Sequence, residues 1–146
     1  MKIIRKSRFT LVIVALIASA FAGMATASEI KVNLSGGQEV PAVQTSASGS
    51  GTIIVEDDKS IKGKITTSDI KATGAHIHEG AVGKTGSDII TLKKTGENEW
   101  SVPPDAKLTD AQYDAFKAGG LYINVHSDAN KSGEIRGQLK RKVDSN

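Results

Sequence analysis

Apolar residues recur at every second position in much of this chain, and that period is the signature of a half-buried strand. Ile30, Val32 and Leu34 alternate with Lys31 and Asn33, and Ile61, Gly63 and Ile65 alternate with Lys62, Lys64 and Thr66. Successive side chains of a strand point to opposite faces, so each stretch has one dry face and one wet one. Between them Thr52 to Glu56 is β-branched, and Asp57-Asp58-Lys59 reads as a hairpin turn. Further short strands are predicted around His76, at Asp88 to Leu92, Glu99 to Val102, Leu121 to His126 and Glu134 to Leu139. Turn-rich stretches at Ser35-Gly36-Gly37, Ser46 to Gly51 and Gly80 to Gly86 separate them. The pattern predicts an all-β fold, an antiparallel Greek-key-like sandwich or barrel.

One short helix is expected before a late strand. Thr109 can cap it, and Gln112, three residues on, can complete a capping box. Leu108 and Tyr113 occupy the staple positions, Phe116 adds an apolar contact, and Gly119-Gly120 ends the run.

The chain opens like a secretory leader. Lys2, Arg5, Lys6 and Arg8 precede the apolar stretch Phe9 to Ala22, and Ala25-Thr26-Ala27 is a small-x-small cleavage site. The apolar stretch is short for a membrane span, so the expectation is a signal peptide over residues 1–27 and a single domain over 28–146. The predicted destination is the periplasm or the extracellular space, with no membrane span once the signal is removed. The leader holds four of the 19 basic residues and none of the 16 acidic ones, which leaves 15 against 16, a formal net charge of −1. With charges of alternating sign and only the short run Lys140-Arg141-Lys142, a nucleic-acid partner is not expected. The chain has no cysteine, so stability outside the cytoplasm has to come from packing or from a bound metal.

All three histidines fall in two strand motifs. His76 and His78 lie in Ala75-His76-Ile77-His78-Glu79-Gly80, and His126 closes Tyr122-Ile123-Asn124-Val125-His126. Strand parity puts His76 and His78 on one face, and Tyr122, Asn124 and His126 on one face of the second strand. If the strands are neighbours, three neutral nitrogen donors converge, a minimal ligand set for copper or zinc. Copper is favoured modestly, since divalent affinity peaks there. A shared ion would hold the ring nitrogens within about 3–4 Å of one another.

Four landmarks in order resemble the CHRD domain, the module named for chordin and common in secreted bacterial proteins. They are Gly36-Gly37-Gln38-Glu39-Val40-Pro41, the His76 block, Tyr122-Ile123-Asn124-Val125-His126, and Gly133-Glu134-Ile135-Arg136-Gly137-Gln138-Leu139. The likeness runs from about Lys31 to Lys140 and implies a secreted all-β module. The family usually carries a proline in the turn before the last block, where this chain has Lys131-Ser132. A more distant likeness is to copper-zinc superoxide dismutases, which have a His-x-His strand, a later Val-x-His strand and a late arginine that guides the anionic substrate. The matching positions are His76, His78, His126 and Arg136, without a bridging histidine, a zinc subsite or a disulfide.

Arg136 shares a strand face with Glu134 and Gln138. A hairpin centred on Lys131 would set it opposite His126, either steering an anion to a metal or pairing with Glu134 or Glu79. Parity also offers Asn124 and Glu79 as groups that orient ligand imidazoles. Asp128-x-Asn130-x-Ser132-Gly133 imitates half a calcium loop, but Leu139 stands at the twelfth position, and a polar turn explains the run. Gly80-x-x-Gly83-Lys84-Thr85 is too short for a phosphate loop. The sequence therefore predicts an exported metal-binding domain holding copper or zinc at His76, His78 and His126 for storage, delivery or protection. The alternative is a recognition module with an extracellular protein partner and structural histidines. A redox enzyme of superoxide-dismutase type ranks third.

Overall fold

A computed structural model of the protein describes residues 26–142. The predicted leader lies outside the described residues except for Thr26 and Ala27. Ala27 already pairs with Glu56, and Thr26 donates to Asp57 through its backbone N–H (2.9 Å) and its hydroxyl (2.7 Å).

The chain forms β1 (Ala27–Ser35), β2 (Ser48–Glu56), β3 (Ile61–Ser68), β4 (Ala72–Glu79), β5 (Asp88–Thr91), β6 (Lys93–Lys94), β7 (Glu99–Ser101), α1 (Asp110–Lys117), β8 (Leu121–Ser127) and β9 (Ile135–Gln138). These strands make one antiparallel sheet in the order β5-β4-β8-β9-β1-β2-β3-β7-β6, curled into a nearly closed barrel. The two edge strands, β5 and β6, flank Leu92, whose N–H bonds the Ala75 carbonyl and whose side chain is buried. The all-β expectation and its single short helix hold. So does the capping box, with Gln112 N–H donating to the Thr109 hydroxyl (3.2 Å) and Thr109 N–H to Gln112 Oε1 (2.9 Å). α1 buries Phe116 against the core.

Period-two alternation fills the barrel. Ile30, Val32 and Leu34 of β1, and Ile61 and Ile65 of β3, are each at most 2% exposed. On β4 and β8 the inward residues are Ala75, Ile77, Leu121, Ile123 and Val125, all fully buried. A run of inward apolar side chains of this kind contributes roughly 1.5–3 kcal/mol per residue and fixes which face each strand turns outward.

One local expectation is corrected, and one short strand is new. The stretch Ser46 to Gly51 is not a loop throughout: β2 begins at Ser48 and runs through Gly49 and Gly51. Glycine is used there because the neighbouring strand lies close, and a Cβ on Gly51 would fall 2.1 Å from the Lys64 carbonyl oxygen and 2.7 Å from Ile65 Cα. The two-residue strand Lys93–Lys94 is also unforeseen, since neither residue carries apolar alternation.

Gly51→Ala is expected to push β2 and β3 apart and to cost about 1–3 kcal/mol. Urea denaturation should show a lower midpoint at an unchanged slope, and an unchanged midpoint would refute the close-approach account.

Candidate metal centre

The β4–β8 register builds the site. Gly74 pairs with His126, His76 with Asn124 and His78 with Tyr122, while β9 sets Arg136 opposite Asn124 and Gln138 opposite Tyr122. The outward faces of three strands thus form a polar grid with Asn124 at its centre. Each histidine is half-buried, and one ring nitrogen from each lies within 4.8 Å of the other two.

Backbone carbonyls orient two of the rings. His78 Nδ1 lies 3.1 Å from the Gly86 carbonyl and His126 Nδ1 2.8 Å from that of Lys131. A carbonyl only accepts, so both Nδ1 atoms carry the proton and both Nε2 atoms present lone pairs. His76 Nδ1 is 3.0 Å from His126 Nε2 and therefore donates to it. His78 Nε2 is buried and has no hydrogen-bond partner. Burial lowers the pKa of His76, with the neighbouring His126 and His78 adding to the effect. Burial also lowers that of His78, against the opposing influence of the Gly86 carbonyl and the Asn124 amide. Neutral imidazoles are what metal ligation needs.

The closest nitrogen pair fits the predicted spacing, and the group as a whole is wider than 3–4 Å. His76 closes that gap most readily, because no backbone carbonyl holds its ring among the described hydrogen bonds. To ligate a shared ion through Nδ1 it must pass its proton to Nε2, whereas to ligate through Nε2 it need only turn its ring.

Aromatic and cationic groups back this face. The His78 and Tyr122 rings stack at 4.9 Å with an interplanar angle of 4°. The Arg136 guanidinium covers the other part of that stack, 3.5 Å from the Tyr122 centroid. Arg136 donates to the carbonyls of Lys84 (2.7 Å) and Ala81 (3.0 Å) and to Gln138 Oε1 (2.9 Å). Gln138 Nε2 in turn reaches the carbonyls of Gly80 and Gly119. These bonds roof the outer face with the loop from Gly80 to Gly86, and Tyr122 N-terminal to the centre is left 3% exposed.

This arrangement corrects the reading of Arg136. It sits opposite Asn124, not His126, because the connection is centred on Asn130, where reciprocal backbone bonds join Ser127 and Asn130. It makes no salt bridge to Glu134 or Glu79, and at 1% exposure it presents nothing to an incoming anion. Glu79 follows Ile77 on the opposite strand face and is exposed, away from the imidazoles it was expected to orient. Asn124 is where parity placed it, 3% exposed, with Nδ2 donating to the Ser132 carbonyl (3.2 Å).

Two buried carboxylates have roles that the sequence reading did not foresee. Glu134 accepts from the Thr45 hydroxyl (2.6 Å) and the Ser127 hydroxyl (2.5 Å), and these hydrogen bonds, Ser127 first, hold its pKa below the usual value. It pins the loop that carries the Lys131 and Ser132 carbonyls. Glu39, from the Gly-Gly-Gln-Glu-Val-Pro landmark, is 9% exposed, and burial raises its pKa against the pull of nearby Arg136. The signal for both was a carboxylate standing inside a family landmark.

A nearly closed antiparallel barrel with a polar, loop-covered histidine face is the class these features define. The chain belongs to the CHRD domain family, whose model matches residues 30–139. Membership fits an extracellular β-domain. No curated protein and no solved structure matches the chain. Among the described residues no helix is long and apolar enough to cross a membrane.

Glu134→Gln should lower stability at pH 7 by about 1.5–3 kcal/mol, the usual worth of hydrogen bonds to a charged group. A depressed carboxyl pKa adds stability above its unfolded value and loses it as pH falls through the folded value. The gap between wild type and variant, read from melting curves, should therefore narrow toward pH 3, and a gap independent of pH would contradict the ionised bolt.

Proposed function

We propose that this is an exported CHRD-family domain that binds one copper or zinc ion through His76, His78 and His126, for storage, delivery or protection outside the cytoplasm. One observation carries the reading: the chain's three histidines meet on one strand face with two rings clamped by carbonyls, and the buried lone pair of His78 Nε2 has nothing to accept. A buried acceptor without a donor is costly, and a cation relieves that cost. Borderline imidazole donors suit both metals. The leader over residues 1–27 and the family's extracellular character support export. The covered guanidinium of Arg136 removes the anion-guiding element on which a superoxide-dismutase-like activity depended, so the reading is one of binding.

The test is titration of the purified domain (residues 28–146) with Zn²⁺, Cu²⁺ and, without oxygen, Cu⁺, followed by calorimetry and absorption. The expected result is one ion per chain, lost in His78→Ala. Since the ion binds only the folded state, saturation at about 100 times Kd should stabilise the domain by about 2.7 kcal/mol, read as a raised melting temperature. Absence of stoichiometric uptake would leave an extracellular β-module with structural histidines.

A further inference from the structure

At the centre of the histidine grid stands a carboxamide oxygen with nothing to bind. Asn124 Oδ1 is buried and unpartnered, as is His78 Nε2. The orientation of the amide is fixed by what surrounds its nitrogen: Nδ2 donates to the Ser132 carbonyl, which can only accept. The oxygen is therefore turned away from Ser132. With all three rings neutral it accepts no ring N–H, because the Nδ1 protons of His78 and His126 go to Gly86 and Lys131 and that of His76 goes to His126; only a protonated His78 would give it a donor. Two acceptors with no donor, on neighbouring side chains of one face, lack a positive charge between them.

A second contact explains why the amide stays in this pose. A Cβ built on Gly133 would lie 2.5 Å from both Asn124 Nδ2 and Glu39 Oε1. Both atoms thus crowd the bare Cα of Gly133, whose φ of +128° also favours glycine. Glu39 Oε1 is buried without a hydrogen-bond partner, and across Gly133 its neighbour is the amide nitrogen, which has a second proton to give. The Gly-Gly-Gln-Glu landmark and the Gly133 landmark, far apart in sequence, converge on one amide.

We infer that Asn124 Oδ1 is a fourth, oxygen donor of the metal site, and that Glu39 is the positioning residue that aims it across Gly133. The inference rests on the three-histidine reading and sharpens it. Three imidazoles and an amide oxygen make a four-donor set suited to a divalent ion, Zn²⁺ or Cu²⁺, whereas Cu⁺ prefers softer donors and is satisfied by the imidazoles alone.

The experiment measures Zn²⁺ and Cu⁺ affinities of the purified domain by chelator competition, with Co²⁺ absorption reporting the donor set. Asn124→Leu should weaken Zn²⁺ at least about tenfold, leave Cu⁺ within about threefold and alter the Co²⁺ spectrum. Asn124→Asp, which keeps an oxygen there, should bind Zn²⁺ at least as tightly as wild type. Glu39→Ala should weaken Zn²⁺ by about 10- to 100-fold, the usual effect of losing a group that orients a ligand. Glu39→Gln, which keeps an acceptor for Nδ2, should recover most of that loss. Equal Zn²⁺ affinity and an unchanged Co²⁺ spectrum in Asn124→Leu would overturn the oxygen donor while leaving the three histidines standing. An Asn124→Asp variant that binds as weakly as Asn124→Leu would overturn it too. If the wild-type domain takes up none of these ions, the three-histidine reading and this one fall together.

Discussion

The register between β4 and β8 is the constraint on which the rest of this structure depends. A slip of one residue would send His76 and His78 into the barrel and Ile77 out to solvent. Ile77 opposite Ile123 and Ala75 opposite Val125, all without exposure, make that slip expensive. Burying or exposing each such side chain is worth roughly 1.5–3 kcal/mol, so the apolar face sets the polar one. The three imidazoles are therefore placed by residues that never touch them.

Placement alone leaves rings free to rotate, and the loops remove that freedom. Gly86 and Lys131 fix two tautomers through their carbonyls, and the Arg136–Tyr122–His78 stack holds the plane of one ring. Arg136 is costly to bury, and its guanidinium offsets that cost with bonds to two carbonyls and an amide oxygen. Those same bonds draw the 80–86 loop over the face. An arginine that the sequence offers as an anion guide thus acts as a tie between a strand and a loop, and the difference lies entirely in its burial.

Much of this was legible before any coordinates, and for a physical reason. Period-two alternation at Ile30-Val32-Leu34 and Ile61-Ile65 states which face is dry, and His-x-His states which side chains share a face. Thr109 with Gln112 states where the helix starts. Parity is local, so it survives ignorance of the fold. What was not legible required distances between strands or loop paths. The centre of the 127–134 connection moved by one residue, which shifted Arg136 by two positions along β8, because Ser127 and Asn130 bond each other in the turn. Glu39 stands in a landmark, but nothing within its own segment shows that it meets Asn124 over Gly133. Gly49 and Gly51 read as turn residues because close approach of a neighbouring strand leaves no mark on the sequence.

The position of the histidine face relative to the core says what kind of metal site this fold can hold. Small domains that need a metal to fold place it where a core would be, and removing it unfolds them. Here the barrel interior is filled by Ile53, Ile65, Ile77, Ile123 and Ile135 with no contribution from the imidazoles, which lie on the outer face of the same sheet. The fold therefore does not require an ion, and any binding free energy adds to a stability that the core already supplies. A half-buried site on a self-sufficient scaffold can load and unload without passing through an unfolded chain. For the ion proposed above, that property favours capture and release over a permanent structural role, and it follows from which face of β4 carries the histidines.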